Sequence, residues 1–256
     1  NIAMGYQSGT AISTGHYNIS IGSWSLLNAT DTSHSLAIGV GALRNFNTSG
    51  DGENVALGNE AGENVTTGKS NTFLGYQAGR GSGNITAGNN TFIGKHAGYD
   101  ATGNVNDNVA IGSGAGQNIT QGYDNIIIGE GAGSTLLAGG ENIIIGQAAN
   151  VSSNGVTNEI AIGRACVGQG SNTVTLGNGS CTAWLPTDDN EVNLGSSSRR
   201  FANLYVADMQ MNNVGTGGND VDGSEGSWTI QEGEDDLFLL NRKNGKKYKF
   251  KLEIVK

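Results

Sequence analysis

One short motif returns along most of this chain: an asparagine or serine, three residues that are mostly β-branched or apolar, and a glycine. The copies run Asn1-Ile2-Ala3-Met4-Gly5, Asn18-Ile19-Ser20-Ile21-Gly22, Ser35-Leu36-Ala37-Ile38-Gly39, Asn54-Val55-Ala56-Leu57-Gly58 and Asn71-Thr72-Phe73-Leu74-Gly75. They continue as Asn90-Thr91-Phe92-Ile93-Gly94, Asn108-Val109-Ala110-Ile111-Gly112, Asn125-Ile126-Ile127-Ile128-Gly129 and Asn142-Ile143-Ile144-Ile145-Gly146, with looser copies ending at Gly163 and Gly177. Successive glycines lie 17, 17, 19, 17, 19, 18, 17, 17, 17 and 14 residues apart. A unit this short cannot bury a face by itself and must stack on its neighbours. A weaker element sits halfway along several units: Asn64-Val65-Thr66-Thr67-Gly68, Asn84-Ile85-Thr86-Ala87-Gly88 and Asn118-Ile119-Thr120-Gln121-Gly122. Apolar runs of three bounded by glycine favour strand over helix. The expected fold is all-β: a parallel β-roll or β-helix solenoid of strand-turn-strand-turn coils, eleven of which would stack to roughly 50 Å.

Composition closes off the rival classes. The chain holds 43 glycines but a single proline, Pro186, which excludes collagen. Its aliphatic residues are clustered rather than diluted, unlike a disordered linker. No run approaches the roughly 18 apolar residues of a membrane helix, and a net charge of −9 lacks the basic face of a nucleic-acid binder. Neither membrane insertion nor a nucleic-acid partner is expected. Asn1 opens in mid-repeat, which implies that residue 1 is not the start of the protein.

Alternation in the first strand predicts association. The outer pair, such as Ile126 and Ile128, faces one side, and the middle residue faces the other. Both sets are apolar or small, the mark of a strand buried on both sides, whereas one coil's interior covers one face alone. The other face would leave an apolar strip along the rod that sister chains must cover. We expect a homotrimer with Phe73, Phe92, Ile127 and Ile144 in the trimer core. The alternative places the middle residue inside a flat single-chain coil. The leading asparagines fall in one column and can form a hydrogen-bonded ladder. Cys166 and Cys181 fall about one coil apart, close enough for a possible disulfide; the other reading is two small buried residues.

The repeat fades near residue 180, and Pro186 with Asp188-Asp189-Asn190 marks the break. Three regions are expected: a shaft over 1–180, a neck over 181–215 and a C-terminal β-hairpin tip over 216–256. In the tip, Asp236–Arg242 and Lys246–Val255 read as strands joined at Asn244-Gly245. Tyr248, Phe250, Leu252 and Ile254 alternate there with Lys247, Lys249, Lys251 and Glu253, and Trp228 and Phe238 would pack on the apolar side.

The repeat resembles the head repeats of trimeric autotransporter adhesins, parallel β-rolls that assemble in threes, although only the step from Gly163 to Gly177 has their shorter length. The segment Asn193-Leu194-Gly195-Ser196-Ser197-Ser198-Arg199-Arg200-Phe201-Ala202-Asn203-Leu204-Tyr205-Val206 resembles one common near the C-terminal ends of bacteriophage tail fibres. Gly226-Ser227-Trp228-Thr229-Ile230, Asp236-Leu237-Phe238-Leu239-Leu240 and Gly245-Lys246-Lys247-Tyr248-Lys249-Phe250 are similar to the tips of tail-fibre-like proteins of marine phages and large algal viruses. The resemblance implies a fibre on the virion surface that joins other fibre or baseplate proteins and meets a host glycan or protein receptor. A polysaccharide depolymerase spike and a cell-surface trimeric adhesin head are the alternatives.

Half of the 14 basic residues lie between Arg242 and Lys256. The candidate receptor contacts are Trp228, Arg242, Lys243, Lys246 and Lys247. The competing reading is a solvated hairpin whose lysines pair with Glu232, Glu234, Asp235 and Asp236 and guard an edge. No catalytic residue, metal ligand or cofactor site is nominated. His16, His34 and His96 read as isolated turn residues without ligand spacing, and the carboxylates shift position from repeat to repeat. Nine N-x-[ST] sequons (Asn18, Asn28, Asn47, Asn64, Asn84, Asn89, Asn118, Asn150 and Asn178) follow largely from the asparagine-rich repeat.

Overall fold

In the computed structural model, residues 1–86, 88–187, 192–215 and 217–250 are described. The chain divides into two units, Asn1–Thr182 and Ala183–Lys256. Ala87, Asp188-Asp189-Asn190 and the second half of the expected Lys246–Val255 strand lie outside the described residues, as do Glu191, Thr216 and Lys256.

The first unit is a β-solenoid of about ten turns. Eleven three-residue strands, from Ile2–Met4 to Val174–Leu176, form one parallel sheet. Each strand pairs in register with the next coil, so Phe73 sits between Ala56 and Phe92, and Ile127 between Ala110 and Ile144. Glycine ends each strand for a physical reason. Gly58, for example, has φ 143°, and a side chain there would run into the Gly75 carbonyl of the next coil. The second element is weaker than a strand. It pairs through single bridges such as Val65 with Ile85 and through two short two-stranded sheets, Thr32–Ser33 with Gly50–Asp51 and Gln121–Tyr123 with Ala138–Gly140. The chain there is mostly turning, and one inward residue per coil (Val65, Ile85, Ile119 or Leu136) suffices to fill the interior.

The coil is flat, and the middle residues of the first strand point inward. Phe73, Phe92, Ile127 and Ile144 are buried to within 1% inside a single chain, so they cannot line a seam between copies. The leading asparagine supplies the reason. Its side chain is buried in a ladder, and alternation then sends the residue two places on inward as well and leaves the outer pair outside. The ladder is continuous from Asn54 to Asn142: each Oδ1 accepts from both the backbone N–H and the Nδ2 of the next asparagine at 2.9–3.1 Å. Asn108 Nδ2 donates further to the Gly122 carbonyl across the coil. Glu159 ends the column, giving its backbone N–H to Asn142 and accepting from the Ser152 and Gly170 backbones.

Volume is balanced between columns. Where the strand carries Phe73 or Phe92, the facing turn carries Gly62, Gly79 or Gly98, at each of which a Cβ would strike one of those rings. Where it carries Ala37, Leu43 fills the space instead. The two rings pack at 5.7 Å between centroids.

The second unit holds a four-stranded antiparallel sheet in the order Asp208–Asn212, Ser227–Glu232, Leu237–Asn241, Lys247–Lys249. Its edge strand thus comes from the segment expected to be a neck. The turn at Asn244-Gly245 is a four-residue loop, Arg242 to Gly245, closed by Asn241 N–H to the Lys246 carbonyl. Only Gly245 has positive φ, at 72°, whereas a two-residue type I′ turn would need it at both central positions. Register puts Met209, Ile230, Leu239 and Tyr248 on one face with Met211 and Trp228. Trp228 packs on Tyr248 at 5.9 Å, but Phe238 pairs with Gln231 and Lys249 on the opposite face, contrary to expectation. Tyr248 and Phe250 stay partly exposed.

Candidate functional site

Two surfaces stand out from their burial. The first is the outer face of the eleven-stranded sheet. Its two columns hold Ile, Leu, Val or Met in all positions except Thr72 and Thr91, and Val55, Leu57, Leu74, Ile111, Ile126 and Ile162 are exposed. Its footprint, ten strand spacings long and three residues wide, is on the order of 500 Å², at the upper end of the patches soluble monomers show. The apolar strip therefore exists, but the outer pair forms it rather than the middle residue.

The second surface is a groove of about 470 Å³ in the C-terminal sheet, lined by Trp228, Lys243, Asn213, Asn219, Asn241 and Glu225 among others. Its wall is formed by Asn213 and the 217–226 turn. There Asn219 Oδ1 accepts the Val221 and Asp222 backbone N–H groups, and Asp222 accepts from the Ser224 backbone and the Asn219 amide. Hydrogen bonds from the Ser224 hydroxyl, the Ser224 backbone and Asn219 hold the Asp222 carboxyl below its ordinary range.

Of the candidate receptor contacts, the structure brings Trp228 and Lys243 together in this groove. Lys243 Nζ donates to the Glu225 carbonyl at 3.2 Å. Arg242 turns to the other face, where its Nε donates to the Thr229 hydroxyl at 2.8 Å, and Lys247 pairs with Leu240 on that same face. Lys246 sits at the foot of the hairpin loop and closes it through its carbonyl. One expected pairing of lysines with acids is present, Lys249 Nζ to Asp236 Oδ2 at 2.7 Å.

Cys166 is buried and Cys181 exposed, and the two are not joined in a disulfide. Cys166 Sγ lies 3.5 Å from the Thr175 carbonyl, and burial pushes its thiol pKa up. Cys166 occupies the small-residue column of Ala132 and Ala149, as the second reading expects, but the exposed Cys181 does not fit that reading. Asn18 is also buried, within the ladder, so its sequon is not an accessible acceptor. Two of the histidines are far from isolated. His34 stacks on Tyr17 at 5.0 Å and bonds Asp51 at 2.8 Å, and His96 lies against Tyr76 and Tyr99. Tyr17 and His34 share a phase, each five residues before a repeat glycine, whereas Tyr76, His96 and Tyr99 stand one, two and five residues after theirs, and Tyr76 meets His96 only through stacking.

Comparison of the chain with known families, with curated proteins and with solved structures gives no match.

Proposed function

We propose that the protein is the shaft and tip of a homotrimeric adhesive fibre on a virion surface, and that it holds a receptor-binding groove away from the particle. The observation that carries this reading is the apolar outer face of the sheet. It is uncharged and in register along the whole solenoid, and identical copies around one axis present each other with the same surface. Within the second unit, Trp184, Leu185, Leu194, Phe201, Leu204 and Tyr205 lie open to solvent, a burden that further chains would relieve. Three copies bring three grooves lined by Trp228 and Lys243, so weak contacts to a host surface gain avidity. The viral assignment rests on the tail-fibre resemblance of Asn193–Val206 and of the tip.

Light scattering on the purified chain tests the assembly. The reading expects three times 26.3 kDa, and expects Leu74→Asp with Ile126→Asp to lower that mass. A wild-type mass of one chain overturns it. Antibody labelling of purified virus particles tests the location, and particles without the antigen overturn the viral assignment.

A further inference from the structure

A ridge of planar side chains runs up the solenoid along the turn that follows each repeat glycine. It begins with Tyr6, whose ring meets Trp24 edge-on at 6.2 Å, and Arg44 lies 5.5 Å over the Trp24 ring. Trp24 Nε1 donates to Gln7 Oε1 at 3.0 Å, which fixes the indole on its other side. Glu63 joins this cluster to the next one, bonding Arg44 at 3.2 Å and Arg80 at 3.0 Å. Arg80 also bonds Glu60 at 3.0 Å and lies 5.7 Å over Tyr99, which touches His96 at 5.0 Å; His96 in turn meets Tyr76 at 5.6 Å. The contacts are unbroken over the first six coils, roughly 24 Å at about 4.8 Å per coil. Partial burial draws the Arg80 guanidinium pKa down, but Glu63, Tyr99 and Glu60 outweigh it and raise it overall, so the arginine is held as a fixed cation.

The fold does not ask for these rings. Later coils place Ser113, Gly114, Glu130, Gly131, Ala148 and Ala165 at equivalent positions and stack equally well. Two of the rings also sit where glycine would be relaxed. The residue two places after the repeat glycine is left-handed, and Gly41, Gly114 and Gly131 hold it at φ 63–68°. Trp24 and His96 hold it at φ 62° and 58°, conformations that disfavour a bulky side chain. Tyr6, Trp24 and Tyr76 are nevertheless 66%, 37% and 47% exposed. Gln7, Glu60, Gln77, Ala148 and Ala165 hold the same position at φ 52–56°, so the left-handed backbone is common to the coils, and it is the display of rings to water that points to a ligand.

We infer that this ridge binds a linear, uncharged polysaccharide. Exposed rings cover the C–H faces of sugar rings, while Gln77 and Glu60, already aligned by a 2.7 Å bond, lie between them to meet hydroxyl groups. The two arginines are matched by Glu60 and Glu63, and Lys95 on the sixth coil is offset by Asp100 on the same turn, so the track carries no net charge for an anionic polymer. Its length and regular coil spacing suit a repeating chain rather than a single compact ligand. The site rests on the adhesive part of the proposed function and adds a second contact surface along the shaft.

The test is titration of the full chain with cellohexaose, laminarihexaose, mannohexaose and chitohexaose, followed by tryptophan emission and calorimetry, with dextran sulfate as the anionic comparison. At least one neutral hexasaccharide is expected to bind and to perturb Trp24 emission. Trp24→Ala and Tyr76→Ala should each weaken it roughly tenfold or more, with the thermal transition kept, and Trp228→Ala should leave it unchanged. No neutral binding at millimolar sugar, binding lost through Trp228→Ala alone, or preference for dextran sulfate would each overturn the inference. Light scattering of the same samples separates the two readings: a single-chain mass with ridge binding intact sinks the fibre and leaves the saccharide site standing, and a trimer without ridge binding does the reverse.

Discussion

Glycine acts at two kinds of position here, and substitution should separate them. At Gly98, with φ 59°, a methyl group would press on the Phe92 ring, whereas at Gly131, with φ 63°, it meets open space. Gly131→Ala should cost about 1 kcal/mol from backbone strain alone. Gly98→Ala should cost about 2–4 kcal/mol, because overpacking adds to the strain; urea unfolding midpoints of the two variants check the order. The buried thiol gives a second residue-scale prediction. Cys181 should react with a maleimide in the native protein, and Cys166 only after denaturation, since burial both shields its sulfur and disfavours the thiolate. Mass spectrometry of peptides labelled with and without urea reads this directly. Much at this scale was legible beforehand. The asparagine column announced a ladder, and the ladder exists. The partners of His96 were not legible, because Tyr76 and Gln77 lie about one coil away in sequence and become neighbours only through stacking.

At the scale of elements, three-residue strands survive because all but the two at the ends of the sheet are held on both sides by in-register strands of the same length. The second side of the coil lacks that regularity, with single bridges in place of strands. Its weak apolar signal, one residue in Asn64-Val65-Thr66, foretold an inward side chain but overstated the strand. In the C-terminal sheet, the Asn-Gly pair correctly marked a reversal, yet the loop closes over four residues. Gly245→Ala, at φ 72°, should therefore destabilise the hairpin by about 1 kcal/mol, while Asn244→Ala, outside the left-handed region, should cost about 0.5 kcal/mol, the worth of the exposed hydrogen bond its Oδ1 accepts from the Lys246 N–H. Hydrogen exchange at Asn241 and Lys247 would report the difference, and equal protection in both variants would contradict the four-residue loop.

The whole molecule turns on which face of the first strand is inside. Phe73→Ala removes a buried ring and should cost about 3–5 kcal/mol, by the same amount at every protein concentration. Leu74→Asp alters an outward side chain one residue away. The proposed trimer predicts that it lowers stability mainly through lost association, so that its penalty grows with the concentration at which wild type is measured. Thermal melts of both variants over a hundredfold dilution series distinguish the two faces. A concentration-dependent Phe73 effect would return that ring to a seam between chains.

The repeat period, its closing glycine and its three-residue apolar runs were enough to specify an all-β stack of parallel coils. No other arrangement pairs the backbone of so short a unit. The choice of inner face needed the tertiary structure. Alternation divides a strand into two sets, and where both are aliphatic, as in Ile126-Ile127-Ile128, hydrophobicity ranks neither. Packing decided it: the buried asparagine shares its parity with the middle residue, and Gly62, Gly79 and Gly98 leave room for Phe73 and Phe92 and for nothing larger in the turn. The ridge from Tyr6 to Tyr99 likewise belongs to the structure, since coils of unequal length had to be stacked before separate rings became one surface.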